Sequence, residues 1–253
     1  MSNVITARRG HVLVVQLNRS EKRNAINFEM AEKLEEIWKD FEKDDELYVG
    51  IIAGSGGNFC AGADLGDLKN LMSRAMKPEG PLGFTRMILS KPVIAAISGY
   101  CVAGGLEIAL WADFRIAEEN AKFGFLERRF GVPLINGGTQ RLPRIVGLGN
   151  ALYLILTGKL ISAREALEIG LVNEVVENGR ALERAIEIAE LIASYPQLAL
   201  RNDRKSVYSG LGKPLKEALL IEAEIGVETL ENGELYREAE RFVKNGKGRH
   251  GKM

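Results

Sequence analysis

The chain has 253 residues, 46% apolar and 27% charged, and 34 Lys and Arg balance 34 Asp and Glu to a formal net charge of zero. A chain of this size and composition buries a substantial core, and without a net positive field nucleic acid and anionic membrane are not expected as main partners. Two cysteines without a CxxC, Cys60 and Cys101, and two histidines near the chain ends, His11 and His250, disfavour a disulfide framework, a zinc site and a His-based triad.

The segment Met1–Arg9 lacks the apolar run of a signal peptide. No stretch is long and apolar enough to span a bilayer. The cysteines read as buried small hydrophobes, and a cytoplasmic location follows.

His11–Leu17 (HVLVVQL) is rich in β-branched residues and reads as a strand. A polar connection, Asn18–Asn24, follows. Phe28, Met30, Leu34, Ile37, Trp38 and Phe41 recur at helical spacing, which predicts an amphipathic helix. Tyr48–Ala53 is a second strand, closed by Gly54, Gly56 and Gly57. Pro92–Ser98 (PVIAAIS) is a third, buried on both faces. Phe114–Ala117 and Leu171–Val176 complete the set. Ser162 to Glu165 is a capping-box sequence whose helix stops at Gly170. Arg180–Ala193, Pro214–Leu230 and Leu235–Val243 read as helices, and strand signals vanish beyond Pro196. Apolar strands alternating with helices predict a largely parallel buried sheet in an α/β core over residues 1–195, with a helical region over 196–253. No fixed-period repeat is present.

Four familiar motifs fail. Gly54–Phe59 begins like a dinucleotide fingerprint but ends in Phe rather than Gly. There is no phosphate-binding GxxxxGK[ST], no HExxH and no GxSxG elbow, since Ala96 stands two residues before Ser98.

Three segments remain. Asn58–Leu65 (NFCAGADL) follows a strand, and its small residues would let a ligand approach backbone N–H groups; it also fits a tightly packed connection. Ser98–Asp113 runs from a buried strand through glycines into a helix that is apolar almost all round, with Glu107 near its first turn. A buried Glu needs a partner, such as Arg115, or a purpose. Gly104 lies three residues before it, so a donor amide and a proton-transfer group share one face, the pairing that chemistry beside a carbonyl requires. In Phe123–Pro133, Glu127 beside Arg128 and Arg129 reads as a surface charge cluster.

AGADL at Ala61–Leu65, KPVIAAISGY at Lys91–Tyr100, AGGLEIAL at Ala103–Leu110, GGTQRL at Gly137–Leu142 and LTGKLISAREALEIGLVNEVV at Leu156–Val176 resemble the crotonase (enoyl-CoA hydratase/isomerase) family in order and spacing, as NRSEKRNAIN at Asn18–Asn27 resembles its first loop. The resemblance spans nearly the whole chain. It implies an α/β spiral of ββα units with a C-terminal helical region that forms a homotrimer or a dimer of trimers, and an acyl-CoA substrate. It implies an oxyanion hole from the N–H groups of Ala63 and Gly104, catalytic Glu107 and Glu127, and CoA contacts from Arg23, Ala25, Ala61, Asp64, Leu65 and Phe242. Two positions depart from the family pattern. Ile135 stands where a glycine helps seat the catalytic water, and Gly66 stands where a lysine follows GAD.

The expected activity is reversible hydration of a trans-2-enoyl-CoA without metal or redox cofactor, CoA being part of the substrate. The rivals are double-bond isomerisation or another CoA-thioester reaction at the same oxyanion hole, and a non-catalytic CoA-binding or RNA-associated member.

Overall fold

A computed structural model describes residues 2–245, apart from the side chains of residues 234, 237, 238, 241, 242 and 245. His250 lies outside the described residues. The strands are β1 (Val4–Arg9), β2 (Val12–Leu17), β3 (Val49–Gly54), β4 (Val93–Ile97), β5 (Tyr100–Val102), β6 (Phe114–Glu118), β7 (Lys122–Gly124), β8 (Ile161–Ser162) and β9 (Glu174–Val176). One six-stranded sheet runs in the order β1-β2-β3-β4-β6-β9, and β5, β7 and β8 form a three-stranded sheet. In the larger sheet every pairing from β2 to β9 is parallel, and only the edge strand β1 is antiparallel.

Side-chain alternation assigns each face of this sheet a cover. Val15, Leu17, Ile52, Ala95 and Ile97 join a core with Met30, Leu34, Trp38 and Phe41 of α1 (Phe28–Lys43). Val12, Val14, Ile51, Ile94 and Ile116 meet Ala181, Ala185 and Ala189 of α6 (Ala181–Ala193) on the other face. All five residues of β4 are therefore buried, as its unbroken apolar run predicts. The α1 helix starts at Asn27, whose side chain accepts from the Met30 N–H, and α5 (Ala163–Glu168) carries the predicted capping box of Ser162 and Glu165.

Helix α2 (Leu68–Met72) follows a 3₁₀ turn at Leu65–Asp67. Helix α3 (Gly104–Trp111) is buried along its whole length, as its lack of a polar face requires. Helix α4 (Gly138–Thr157) breaks at Gly147. Beyond Pro196 lie α7 (Gln197–Gly210), α8 (Leu215–Glu231) and α9 (Glu234–Asn245). Arg204 of α7 pairs with Asp113 at 2.8 Å and Tyr208 bonds the same carboxylate at 2.7 Å, holding α7 to the core.

Several elements lie beyond the sequence expectation. The strand expected over Leu171–Val176 is confined to Glu174–Val176, because Leu171 and Val172 turn into the core straight after the helix end at Gly170. The short strands β5, β7 and β8 have two or three residues each, too few to show a period. Helices α4 and α7 were not expected: Pro143 and Gly147 interrupt the first, and the second is polar on most of its surface.

Candidate active site

Two backbone segments meet at the centre of the molecule. The loop after β3 pairs Cys60 with Cys101 of β5 as an isolated parallel bridge, which brings Ala61–Ala63 against the start of α3. Gly62 sits at φ +95°, and a Cβ there would stand 2.8 Å from the Gly104 nitrogen. Only glycine allows this approach. From the other side, a Cβ on Gly104 would lie 3.5 Å from the Ala63 nitrogen. Ala103, just before α3, holds φ 52° and ψ −131°, a conformation costing on the order of 1–3 kcal/mol for a residue with a side chain. This turn sets the direction of the Gly104 N–H. Gly104 opens its helix, so its N–H has no helical acceptor. Among the described residues the Ala63 N–H has no backbone acceptor either, while its neighbours Ala61 and Asp64 donate to Arg23 and Ile26.

Both amides line a cavity of about 330 Å³ together with Glu107 and Glu127. The rest of its wall is mostly apolar, including Leu68, Leu71, Met72, Leu82, Val132 and Ile135. A larger cavity of about 590 Å³ contains neither glutamate, and Leu134 and Ile135 stand beside it. Its size does not outweigh its lack of carboxylates, so the smaller cavity is the candidate site.

Glu107 is only 2% exposed. The expected partner Arg115 is not its partner. Arg115 donates instead to the carbonyls of Leu171 and Ala112, turned toward the base of α3. Glu107 Oε1 accepts from the N–H of Asn136 at 2.9 Å and of Gly138 at 2.8 Å, and Oε2 accepts from Asn136 Nδ2 at 3.3 Å. Burial raises its pKa, and these three donors, with Arg141, pull against that rise. A Cβ on Gly138 would lie 3.0 Å from Glu107 Oε1, so a side chain there would press the carboxylate aside by a few tenths of an ångström.

Glu127 stands on a 3₁₀ turn at Leu126–Arg129. The surface-cluster reading is overturned. Glu127 is 6% exposed, and among the described residues it makes no ion pair, for the Arg128 guanidinium turns to the Val132 carbonyl at 2.8 Å. Among the described residues its Oε2 is buried without a hydrogen-bond partner. Burial pushes its pKa up to about 7, and the charge of Glu107 adds to the rise.

The remaining expected residues divide. Arg23, Ala61 and Leu65 line the cavity, with the Arg23 guanidinium 4.9 Å from the centre of the Tyr100 ring. Ala25 is buried and does not line the cavity, and its carbonyl accepts from Arg19. Asp64 is held at 2.5 Å by Arg19 and caps the Leu65–Asp67 turn through the Gly66 N–H, which keeps its side chain off the cavity wall. Phe242 is on α9, and its side chain lies outside the described residues. Sequence reasoning did not single out Asn136 and Gly138 as holders of Glu107. The signal open to it was a polar residue next to two glycines before α4.

The sequence profile of the enoyl-CoA hydratase/isomerase family matches residues 7–251. The chain belongs to this family. A short-chain-enoyl-CoA hydratase of Clostridium acetobutylicum is 40% identical over 229 residues, covering 88% of each chain. A crotonyl-CoA hydratase of Syntrophomonas wolfei is 39% identical over 227 residues, 88% of this chain and 87% of that one. Among solved structures, an enoyl-CoA hydratase of Mycobacterium tuberculosis H37Rv superposes with a TM-score of 0.89 at 32% identity, over 97% of this chain and 96% of the other. The fold is accordingly the crotonase fold, with a C-terminal helical region.

Proposed function

We propose that the chain hydrates trans-2-enoyl-CoA thioesters reversibly. One observation carries the reading: among the described residues, a single cavity is lined by Ala63 and Gly104, whose amides have no backbone acceptor, and by two buried glutamates, one held by three donors and one with an unpartnered oxygen. Glu107, with three hydrogen-bond donors, is built to carry charge; Glu127, with an unpartnered oxygen, is built to hold a proton.

In this scheme the Ala63 and Gly104 N–H groups bind the thioester oxygen. Glu107 takes a proton from water as the oxygen bonds to C3. The C2=C3 electrons move toward the thioester oxygen, and Glu127 delivers its proton to C2. The product carries OH at C3 and a new hydrogen at C2, and one proton passes from Glu107 back to Glu127 to close the cycle. Carboxylates and amides suffice, and CoA enters as part of the substrate. Arg23, Ala61 and Leu65 on the cavity wall support a CoA path along this side. Assembly as a trimer or a dimer of trimers is part of the same reading. Leu215 and Leu219 on α8 are 74% and 52% exposed within one chain, which supports burial between subunits.

Isomerisation needs one carboxylate to shuttle a proton between carbons. The second buried carboxylate favours hydration, since addition of water uses both an acceptor and a donor. The test is incubation of the purified protein with crotonyl-CoA and with a 3-enoyl-CoA, followed by product identification. Formation of 3-hydroxybutyryl-CoA is expected. Conversion of only the 3-enoyl substrate would establish the isomerase, and binding without turnover the non-catalytic alternative.

A further inference from the structure

The loop that holds Glu107 is tied to the 82–86 segment by Arg86, which donates to the Ile135 carbonyl, and by the side chain of Asn136. Asn136 is 6% exposed and uses all its polar groups. Its N–H and Nδ2 donate to the two oxygens of Glu107. Its Oδ1 accepts from the Thr85 hydroxyl at 2.9 Å and faces the Leu82 N–H at 3.4 Å. The Leu82 N–H can only donate, which fixes the oxygen of the carboxamide on that side and leaves the amino group for Glu107. Thr85 is fully buried, and the Leu82 side chain approaches within 3.0 Å of where a Cβ on Gly104 would stand. The segment that packs against Gly104 is thus hydrogen-bonded, through Asn136, to the carboxylate of Glu107.

We infer that Asn136 is a positioning residue for Glu107, and that the Thr85–Asn136–Glu107 chain couples the segment against Gly104 to the orientation and charge of the base. The inference rests on the proposed reaction only in naming Glu107 the base. An amide is suited to this place. It donates to one neighbour and accepts from the other without carrying charge, so it favours the ionised form of Glu107 in a cavity where burial opposes it. The charged groups facing Glu107 are Arg141 on α4, which favours ionisation, and Glu127 on its 3₁₀ turn, each acting on or feeling its charge. Arg23 lines the same cavity. Asn136 is the neutral member of this set, and changes there alter the field at Glu107 without removing a charge.

The test uses the full chain and two readouts. The first is the pH profile of kcat/KM for enoyl-CoA hydration. The second is an infrared carboxylate titration of each variant, differenced against the same variant carrying Glu107→Gln, which reports Glu107 without reference to activity. In Asn136→Ala the backbone donors of Asn136 and Gly138 remain, so kcat/KM should fall about tenfold, the worth of one hydrogen bond to a charged group. The Glu107 titration and the acid limb should both move to higher pH, since the ionised form loses a donor. Asn136→Asp keeps the shape but places a carboxylate beside Glu107; it should move both further in the same direction. Thr85→Val should lower kcat about threefold with little change in KM, because it frees the carboxamide without touching substrate. A Glu107 titration identical to wild type in folded Asn136→Ala and Asn136→Asp would overturn the inference. If the titration moves as stated while Glu107→Gln hydrates at the wild-type rate, the positioning of Glu107 stands and its role as base falls.

Discussion

Helix α3 and the Leu126–Arg129 turn each bring one glutamate to the same cavity, and they treat it in opposite ways. Glu107 comes from a rigid helix start, and three donors from the segment leading into α4 close around its carboxylate. Glu127 comes from a single 3₁₀ turn and has one buried oxygen with no partner among the described residues. Both are buried and both have raised pKa values, that of Glu127 reaching about 7. Desolvation alone does not assign acid and base to a pair of carboxylates. The donors offered to each one do.

The largest test of this contrast removes the titrating oxygens. Glu107→Gln and Glu127→Gln should each lower hydration by about two to four orders of magnitude with binding of a CoA thioester retained. The double variant should be far from additive, because both groups act on one addition. Rate constants for the three variants, with circular dichroism to verify folding, decide it. Hydration near the wild-type rate in Glu127→Gln would return the chain to a one-carboxylate reaction.

Next in size is the oxyanion hole that both glutamates serve. Gly104→Pro deletes one donor N–H and should cost about two to three orders of magnitude in kcat. Full turnover in a variant with a native circular dichroism spectrum would remove Gly104 from the hole.

A narrower test moves Glu107 and spares Glu127. In Gly138→Ala the new methyl meets Glu107 Cγ and Oε1 at 3.0 Å. The base must shift by a few tenths of an ångström, which should lower kcat by less than the roughly hundredfold cost of a misplacement of about 1 Å. The alkaline limb near pH 7 expected from Glu127 should stay where it is.

The smallest effect concerns stability. The folded state raises the Glu127 pKa to about 7, so it favours the protonated form. The contribution is full at pH below the unfolded carboxylate value and is lost as pH rises through about 7. Glu127→Gln should abolish this dependence, flattening the urea-unfolding free energy between pH 5 and 8 by about 2 kcal/mol relative to wild type. Parallel pH profiles for the two proteins would contradict the protonated state assigned to Glu127.

Much of the frame was legible in the chain itself. The unbroken apolar run of β4, the period of α1 and the capping box at Ser162 each report burial or a local hydrogen bond, which neighbouring residues settle. The burial of Glu107 was legible for the same reason, because its helix has no polar face to turn outward. Arg115 misled because proximity in sequence suggested an ion pair, whereas the strand β6 that carries it points the guanidinium to the Leu171 and Ala112 carbonyls. Glu127 misled in the opposite direction. Two adjacent arginines look like a solvated cluster, and only the return of the chain through Val132 and Pro133 folds the carboxylate inward and leaves Arg128 to a carbonyl.

The sequence by itself determined the parallel buried sheet, the buried helix behind Gly104 and, through its resemblance, the family. Those follow from periodicity, composition and motifs read over adjacent residues. The tertiary structure decided which glutamate is held and which is bare. It did so because the donors to Glu107 come from residues 29 and 31 positions away, and the Thr85 that steadies them from 51 positions before Asn136. No local pattern encodes contacts at such separations; they exist only once the packing of α3 against the start of α4 has closed the cavity.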